Sequence, residues 1–214
     1  MALPVDGLAV EAALDLASLT AGSVRARFDR TLPWEPEASD EALSAPPLRL
    51  RRAAVLVPLV ERPEGLTVLL TKRTDHLSSH AGQISFPGGR AEELDSSPIE
   101  TALRETEEEI GLHRRHIEIV GVLPDHATIS AYRITPVVAL VTLPFELHAD
   151  PGEVAEIFEV PLAFLMAGAH HERRSVELPA GAGRRTFYAM PYGEYFIWGA
   201  TAAMLRNLFH FLRA

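Results

Sequence analysis

Residues 97–112, running Ser-Pro-Ile-Glu-Thr-Ala-Leu-Arg-Glu-Thr-Glu-Glu-Glu-Ile-Gly-Leu, carry the start and stop signals of one short helix and crowd acids into its last turns. Ser97 stands as N-cap, Pro98 in the first turn and Glu100 three residues beyond the cap, which together read as a capping box. Gly111 ends the helix. Ile99, Leu103, Thr106 and Ile110 line one side, while Glu105, Glu108 and Glu109, at i, i+3 and i+4, project from the neighbouring one. Each like-charged pair at that spacing costs about 0.2–0.5 kcal/mol, and acids in a last turn also face the negative end of the helix dipole. A solvated acidic face would interleave Lys or Arg, yet Arg104 is the only cation in these turns. The arrangement calls for a bound cation, and we read it as a metal site.

The rest of the composition narrows the class of protein. At 214 residues, with 47% apolar and 23% charged residues, the chain is expected to be globular and to bury one core of ordinary size. Cysteine is absent, which excludes disulfides, thiolate ligands and cysteine nucleophiles and agrees with a reducing cytoplasm, the expected location. Asp6, Glu11 and Asp15 with no early Lys or Arg argue against a secretory signal, and no apolar run is long enough to span a bilayer. A net charge of −9 argues against a non-specific nucleic-acid binder but not against a small phosphorylated substrate gripped by metal and a few arginines.

Along the chain, apolar positions at Leu8, Ala12, Leu16, Leu19, Val24 and Phe28 predict two short helices broken at Gly22. The proline- and acid-rich stretch 32–47 reads as a linker. We therefore divide the chain into a helical extension with linker, 1–50, and a main domain, 51–214. Capping the domain, dimerisation and gating of a pocket are the open roles for the extension. Strands are expected over 52–60 and 66–73 around a turn at Pro63–Gly65, then at 117–123, 134–143 and 156–160. A loop spans 74–96, long enough to suggest binding. A helical turn at 161–165, a hairpin over 174–189 and a last helix over 198–212, with Thr201, Met204, Leu205, Leu208 and Leu212 inward, complete the pattern. Phe196 and Trp198 read as core and His170–His171 as an exposed loop pair. Irregular alternation of strands and helices favours a mixed sheet flanked by helices.

The glycine pair Gly88-Gly89 and the acidic helix together resemble the Nudix box, G-x5-E-x7-R-E-U-x-E-E-x-G-U with U a bulky aliphatic. Arg104, Glu105, Glu108, Glu109, Gly111 and Leu112 match its second half, with Thr106 in the aliphatic position. Gly89 lies one residue too far from Arg104, and Asp95 is the nearest match to the first glutamate. The extra residue falls in a loop, where insertion costs little. Upstream, the stretch from Leu69 to Arg73 and that from Leu77 through His80, Gly82, Gln83 and Phe86 to Gly89 is similar to the segment that precedes the box in coenzyme A diphosphatases of the Nudix superfamily.

That resemblance implies an α/β (α+β) fold, a Nudix-like α/β/α sandwich with a mixed sheet and the loop–helix motif. It implies hydrolysis of coenzyme A or its thioesters to 4′-phosphopantetheine, free or acylated, and adenosine 3′,5′-bisphosphate. Oxygen ligands at Glu105, Glu108 and Glu109, with the carbonyl of Gly89, suit Mg2+ or Mn2+. Arg104 is expected to hold a glutamate in place. Glu105 is the first candidate base and Glu153 the second, as base, further ligand or a plain solvated acid. Arg73, His80, Gly82 and Gln83 are candidate pocket residues, with Lys72 or Arg90 on phosphate. Gly82 and His80 have an equally good reading as shapers of their own loop. An ADP-sugar, NADH or dinucleotide substrate, and a non-catalytic nucleotide-binding module, are the competing readings; the intact acids speak against the second.

Overall fold

The computed structural model describes residues 4–30, 32–37, 50–75, 81–177 and 183–214. Its centre is strand β2 (Arg51–Arg62), in which Ala53 to Val60 form an unbroken buried run. Burial on both faces is what such a run requires. Strand β8 (Tyr132–Val141) lies parallel to β2 from Arg51↔Tyr132 to Val60↔Val141. Antiparallel to these run β3 (Gly65–Arg73), β5 (Gly88–Arg90), β6 (Ile117–Val122) and β7 (His126–Ala127), while the short β4 (Ile84–Ser85) and β9 (Val154–Pro161) pair antiparallel with β3. The sheet is therefore mixed. Pro58 is tolerated inside β2 because Leu56 turns its N–H toward Pro87, so the position two residues on faces the stretch between the β5 and β3 pairings, where a missing donor leaves no strand unpaired.

Helix α1 (Ala21–Phe28) and helix α2 (Pro98–Ile110) precede the one-turn α3 (Leu162–Leu165) and the terminal α4 (Gly199–Arg213). On one face of the sheet, Ala54, Leu56, Val137 and Ala139 pack against Ala102 of α2. On the other, Val55, Val57 and Leu59 pack against Leu205, Leu208 and Phe209 of α4. That is the expected α/β/α sandwich. A second, antiparallel sheet of order β1-β10-β11-β12 is built from β1 (Val5–Leu8), β10 (Glu172–Glu177), β11 (Arg184–Tyr192) and β12 (Tyr195–Trp198).

Several local expectations change. Residues 5–8 are a strand paired with β10, a 3-10 turn covers Leu16–Ser18, and α1 is the only α-helix among the described residues of this region. Gly22 does not break it. It sits in the first turn, where the Thr20 side chain caps the N–H of Ser23, while the pairing of β1 depends on residues too distant for local periodicity to register. The stretch 74–96 holds β4 and β5. Ser97 caps α2 as expected, but the Glu100 carboxylate turns to Arg114 rather than back to the cap, so the box is half-formed. Phe196 is 37% exposed and not core. His171 is fully buried, with its two ring nitrogens on Leu165 and Arg206, and His170 stacks on Phe164.

Candidate active site

The acids of α2 meet the glycine turn that enters β5. Gly88 takes φ +148°, and a side chain there would collide with the Ala54 carbonyl and Val55, so only glycine lets the turn lie flat on β2. Its N–H donates to Glu109 Oε2 at 3.0 Å. Beside it, a Cβ on Gly89 would collide with the carboxylate of Glu105. The glycine pair thus leaves room for two carboxylates against bare backbone. Glu109 is 5% exposed, and burial pushes its carboxyl up to about 7. Burial raises Glu105 as well. Acids held out of water by the fold carry a desolvation cost when ionised, and a cation between them is the usual compensation.

Two arginines meet these acids without balancing them. Arg104 reaches Glu105 and Glu108 at 2.9 Å each and is itself held side-on by Asp95 at 3.0 and 3.1 Å. Asp95 also accepts from Thr101 and from the backbone of Glu92; the Arg104 bond, reinforced by these donors, keeps it well below the usual carboxylate range. Asp95 thus anchors Arg104, at the position nearest the first glutamate of the box. Arg73, at the end of β3, reaches Glu109 at 3.7 Å and Glu153 at 3.8 Å. Glu153 is brought in because its loop caps α2. The N–H groups of His148 and Asp150 bond the Ile110 and Glu109 carbonyls, which a helix C-terminus leaves unsatisfied, while Gly111 turns the chain at φ +68°. Among the described residues, no three His, Asp or Glu side chains are gathered as a ready ligand set, since Arg104 draws Glu105 and Glu108 to itself.

The expected substrate residues separate. Arg73 joins the acids on the α2 face. Lys72, Gly82 and Gln83 line a cleft of about 400 Å3 whose other wall is Tyr195, Phe196 and Trp198. Arg90 is exposed, and its carbonyl, at 3.1 Å from Arg104, is the part of it that enters the site. His80, together with Leu77 to Ser79, lies outside the described residues. Sequence reasoning assigned Tyr195 nothing and placed Phe196 and Trp198 in the core. Only the turn glycine Gly193 ahead of them hinted at a hairpin edge there.

The NUDIX domain family matches residues 50–178, the stretch that holds the glycine pair, the acidic helix and Glu153. The chain belongs to that family. A Nudix hydrolase of Escherichia fergusonii called NudL, described as uncharacterized, is 38% identical over 197 residues, 91% of this chain and 96% of the relative. Its namesake in Cronobacter sakazakii is 40% identical over 168 residues, 78% of this chain and 85% of the other. The solved Nudix hydrolase RenU of M. smegmatis is 26% identical, with a TM-score of 0.45 over 52% of this chain and 71% of that one. As a Nudix hydrolase the protein acts on phosphorus anhydrides of nucleoside diphosphate derivatives, a class of reaction for which Nudix enzymes generally use divalent metal. No helix among the described residues is long and apolar enough to cross a membrane.

Proposed function

We propose that this Nudix hydrolase cleaves the diphosphate of coenzyme A and its thioesters, with Mg2+ or Mn2+, to 4′-phosphopantetheine or its acyl derivative and adenosine 3′,5′-bisphosphate. The observation that carries the hydrolytic part is the burial of Glu105 and Glu109 against Gly88-Gly89 with more carboxylates than arginines around them. The donor set fits a hard divalent ion: Glu105, Glu109 and Glu108 would hold it with the Gly89 carbonyl, all through oxygen. Bound there, the ion neutralises charge on the non-bridging phosphate oxygens and makes an attacking water more acidic. Arg104, fixed by Asp95, positions Glu105 and Glu108. Glu105 is the first candidate to take the proton from water, and Glu153, half-exposed across from Arg73, is the second. Arg73 stands where it can share the negative charge of a diphosphate with the acids.

The choice of coenzyme A rests on the likeness of the segment before the box. Gly82 and Gln83 of that segment, with Lys72, line one cleft at the end of β3, which is consistent with a substrate role for it. His80 and Arg90 are carried in the same reading. We keep residues 1–50 apart from 51–214 as an extension, and the lack of cysteine agrees with a cytoplasmic setting. The deciding experiment incubates the protein and Mg2+ or Mn2+ with coenzyme A, NADH, ADP-ribose and diadenosine polyphosphates. Adenosine 3′,5′-bisphosphate from coenzyme A in preference to AMP from the others is the expected outcome. Preferential AMP release would end the coenzyme A reading while leaving a Nudix diphosphatase, and no product from any substrate with either metal would end both.

A further inference from the structure

The cleft at Lys72 is open to a ligand on the face of β3 turned away from the acids. Its far wall is firm. Tyr195 stacks on Phe158 with ring centroids 3.6 Å apart and donates its hydroxyl to Glu156, and Trp198 packs against Phe187 at 5.5 Å. β12 is the edge strand of the second sheet, so among the described residues its outer backbone groups pair with no further strand. Tyr192 and Tyr195 close a two-residue hairpin turn in which Gly193 takes φ +58°, the mark of a type II′ turn. In such a hairpin the closing pair exchanges hydrogen bonds and the next pair, Pro191 with Phe196, does not. Pro191, which lacks an N–H, fits that non-bonded position. The N–H and C=O of Phe196 therefore point away from β11, toward the open edge. Phe196 itself is 37% exposed, with the Arg174 guanidinium over its ring at 5.1 Å, so a base would stack on the other face. Across the cleft, the ammonium of Lys72 forms no ion pair among the described residues. Glu194, the one acid among the described residues of the lining, is exposed in the turn.

A flat ring surface, an adjacent backbone donor and acceptor, and an ammonium with no ion pair among the described residues together describe a site for a phosphorylated purine nucleoside. Resting on the coenzyme A reading above, we propose that this cleft binds the 3′-phosphoadenosine end of the substrate, with adenine at Phe196 and Trp198 and the 3′-phosphate on Lys72. Adenine presents neighbouring acceptor and donor atoms along one edge, as the Phe196 backbone requires, and its face stacks on aromatic rings. The pantetheine arm is neutral and offers Lys72 no anion, and Glu156, the cross-strand partner of Lys72 on β9, is engaged by the Tyr195 hydroxyl. Lys72 and Arg73 are consecutive at the end of β3 and serve opposite faces of it. A ligand long enough to pass the strand end reaches both the cleft and the acids.

The test compares coenzyme A with dephospho-coenzyme A, which lacks only the 3′-phosphate, in the full chain and in its Lys72→Ala and Phe196→Ala variants. Calorimetry of adenosine 3′,5′-bisphosphate and of AMP is run on the same three proteins. Lys72→Ala is expected to raise KM for coenzyme A at least tenfold and that for dephospho-coenzyme A less than twofold, and to weaken the bisphosphate alone. Phe196→Ala is expected to raise both KM values about fivefold. Turnover of coenzyme A with both variants matching the parent overturns the cleft and leaves the proposed function standing. A Lys72→Ala effect equal on both substrates overturns the phosphate assignment and points to the pantetheine arm. A parent that turns over neither compound but binds the bisphosphate through Lys72 overturns the proposed function and keeps the nucleotide site; a parent that turns over neither compound and binds neither bisphosphate nor AMP ends both.

Discussion

The chain holds two clusters of partly or fully buried charge, one at the end of α2 and one around Arg206 of α4. Arg206 is 2% exposed and binds Glu11 and Glu37 at 2.8 Å each, with His171 and His210 at 3.1 and 3.0 Å. Its hydrogen bond pulls Glu11 down to about 2, and although burial is the largest influence on Glu37 and pushes it up, the bonds and charges of Arg206 and His210 together leave that group lowered too. At α2 the sign is opposite, since burial outweighs Arg104 and Arg73 and raises Glu105 and Glu109. A cluster whose acids are stabilised as anions is complete. One whose acids are destabilised as anions is waiting for a charge from outside, and that is the physical difference between a clamp and a site.

The contrast can be broken by mutation. The largest effect should come from Arg206→Met, which strips two carboxylates and two histidines of their partner and should cost about 3–5 kcal/mol in urea unfolding. Loss below 1 kcal/mol would show that the cluster is not a clamp. Glu109→Gln should lower turnover at least a hundredfold, about 2.7 kcal/mol of barrier, while raising the melting temperature of the metal-free protein, because an amide is not charged when buried. An active variant, or one that melts lower without metal, contradicts the assignment.

A pH titration sharpens the same comparison. Burial pushes the His171 imidazole down to about 4, so below its ordinary value of 6.5 the unfolded chain takes up the proton more readily than the fold does. Stability from this group is present above pH 6.5 and is lost as pH falls toward 4, by up to about 3 kcal/mol. Glu11 adds its own loss between pH 4.5 and about 2. His171→Phe should flatten the upper window in denaturation curves run from pH 7 to 4; an unchanged slope would assign it to other groups. The smallest change expected is from Gly89→Ala, whose methyl displaces the Glu105 carboxylate and should reduce turnover about tenfold, about 1.4 kcal/mol, with little change in melting temperature. Full activity would mean that Glu105 does not work from the position it holds here.

Much of the fold was legible because its signals are local. The cap at Ser97, the stop at Gly111, the strands around Pro63–Gly65 and the inward face of α4 all depend on neighbours within a few residues. Where the reading went astray, the deciding partner was distant. β1 is a strand only because β10 lies beside it, and His171 is buried only because Arg206 and Phe209 of α4 close over it. Phe196 shows the converse error, an aromatic placed inward by composition and left at an edge by the hairpin.

By itself the sequence determined the acidic turn, since spacing on a helix fixes which carboxylates share a side, and with it the need for a cation. It also carried the box that places the chain among Nudix proteins. Only the tertiary structure decided which residues complete the site. Asp95 came to hold Arg104, Glu153 came to face Arg73 through a loop that caps α2, and Lys72 parted from Arg73 to the opposite face of one strand. Those outcomes depend on sheet pairing and helix packing between segments dozens of residues apart, and such contacts leave no periodicity for a sequence to show.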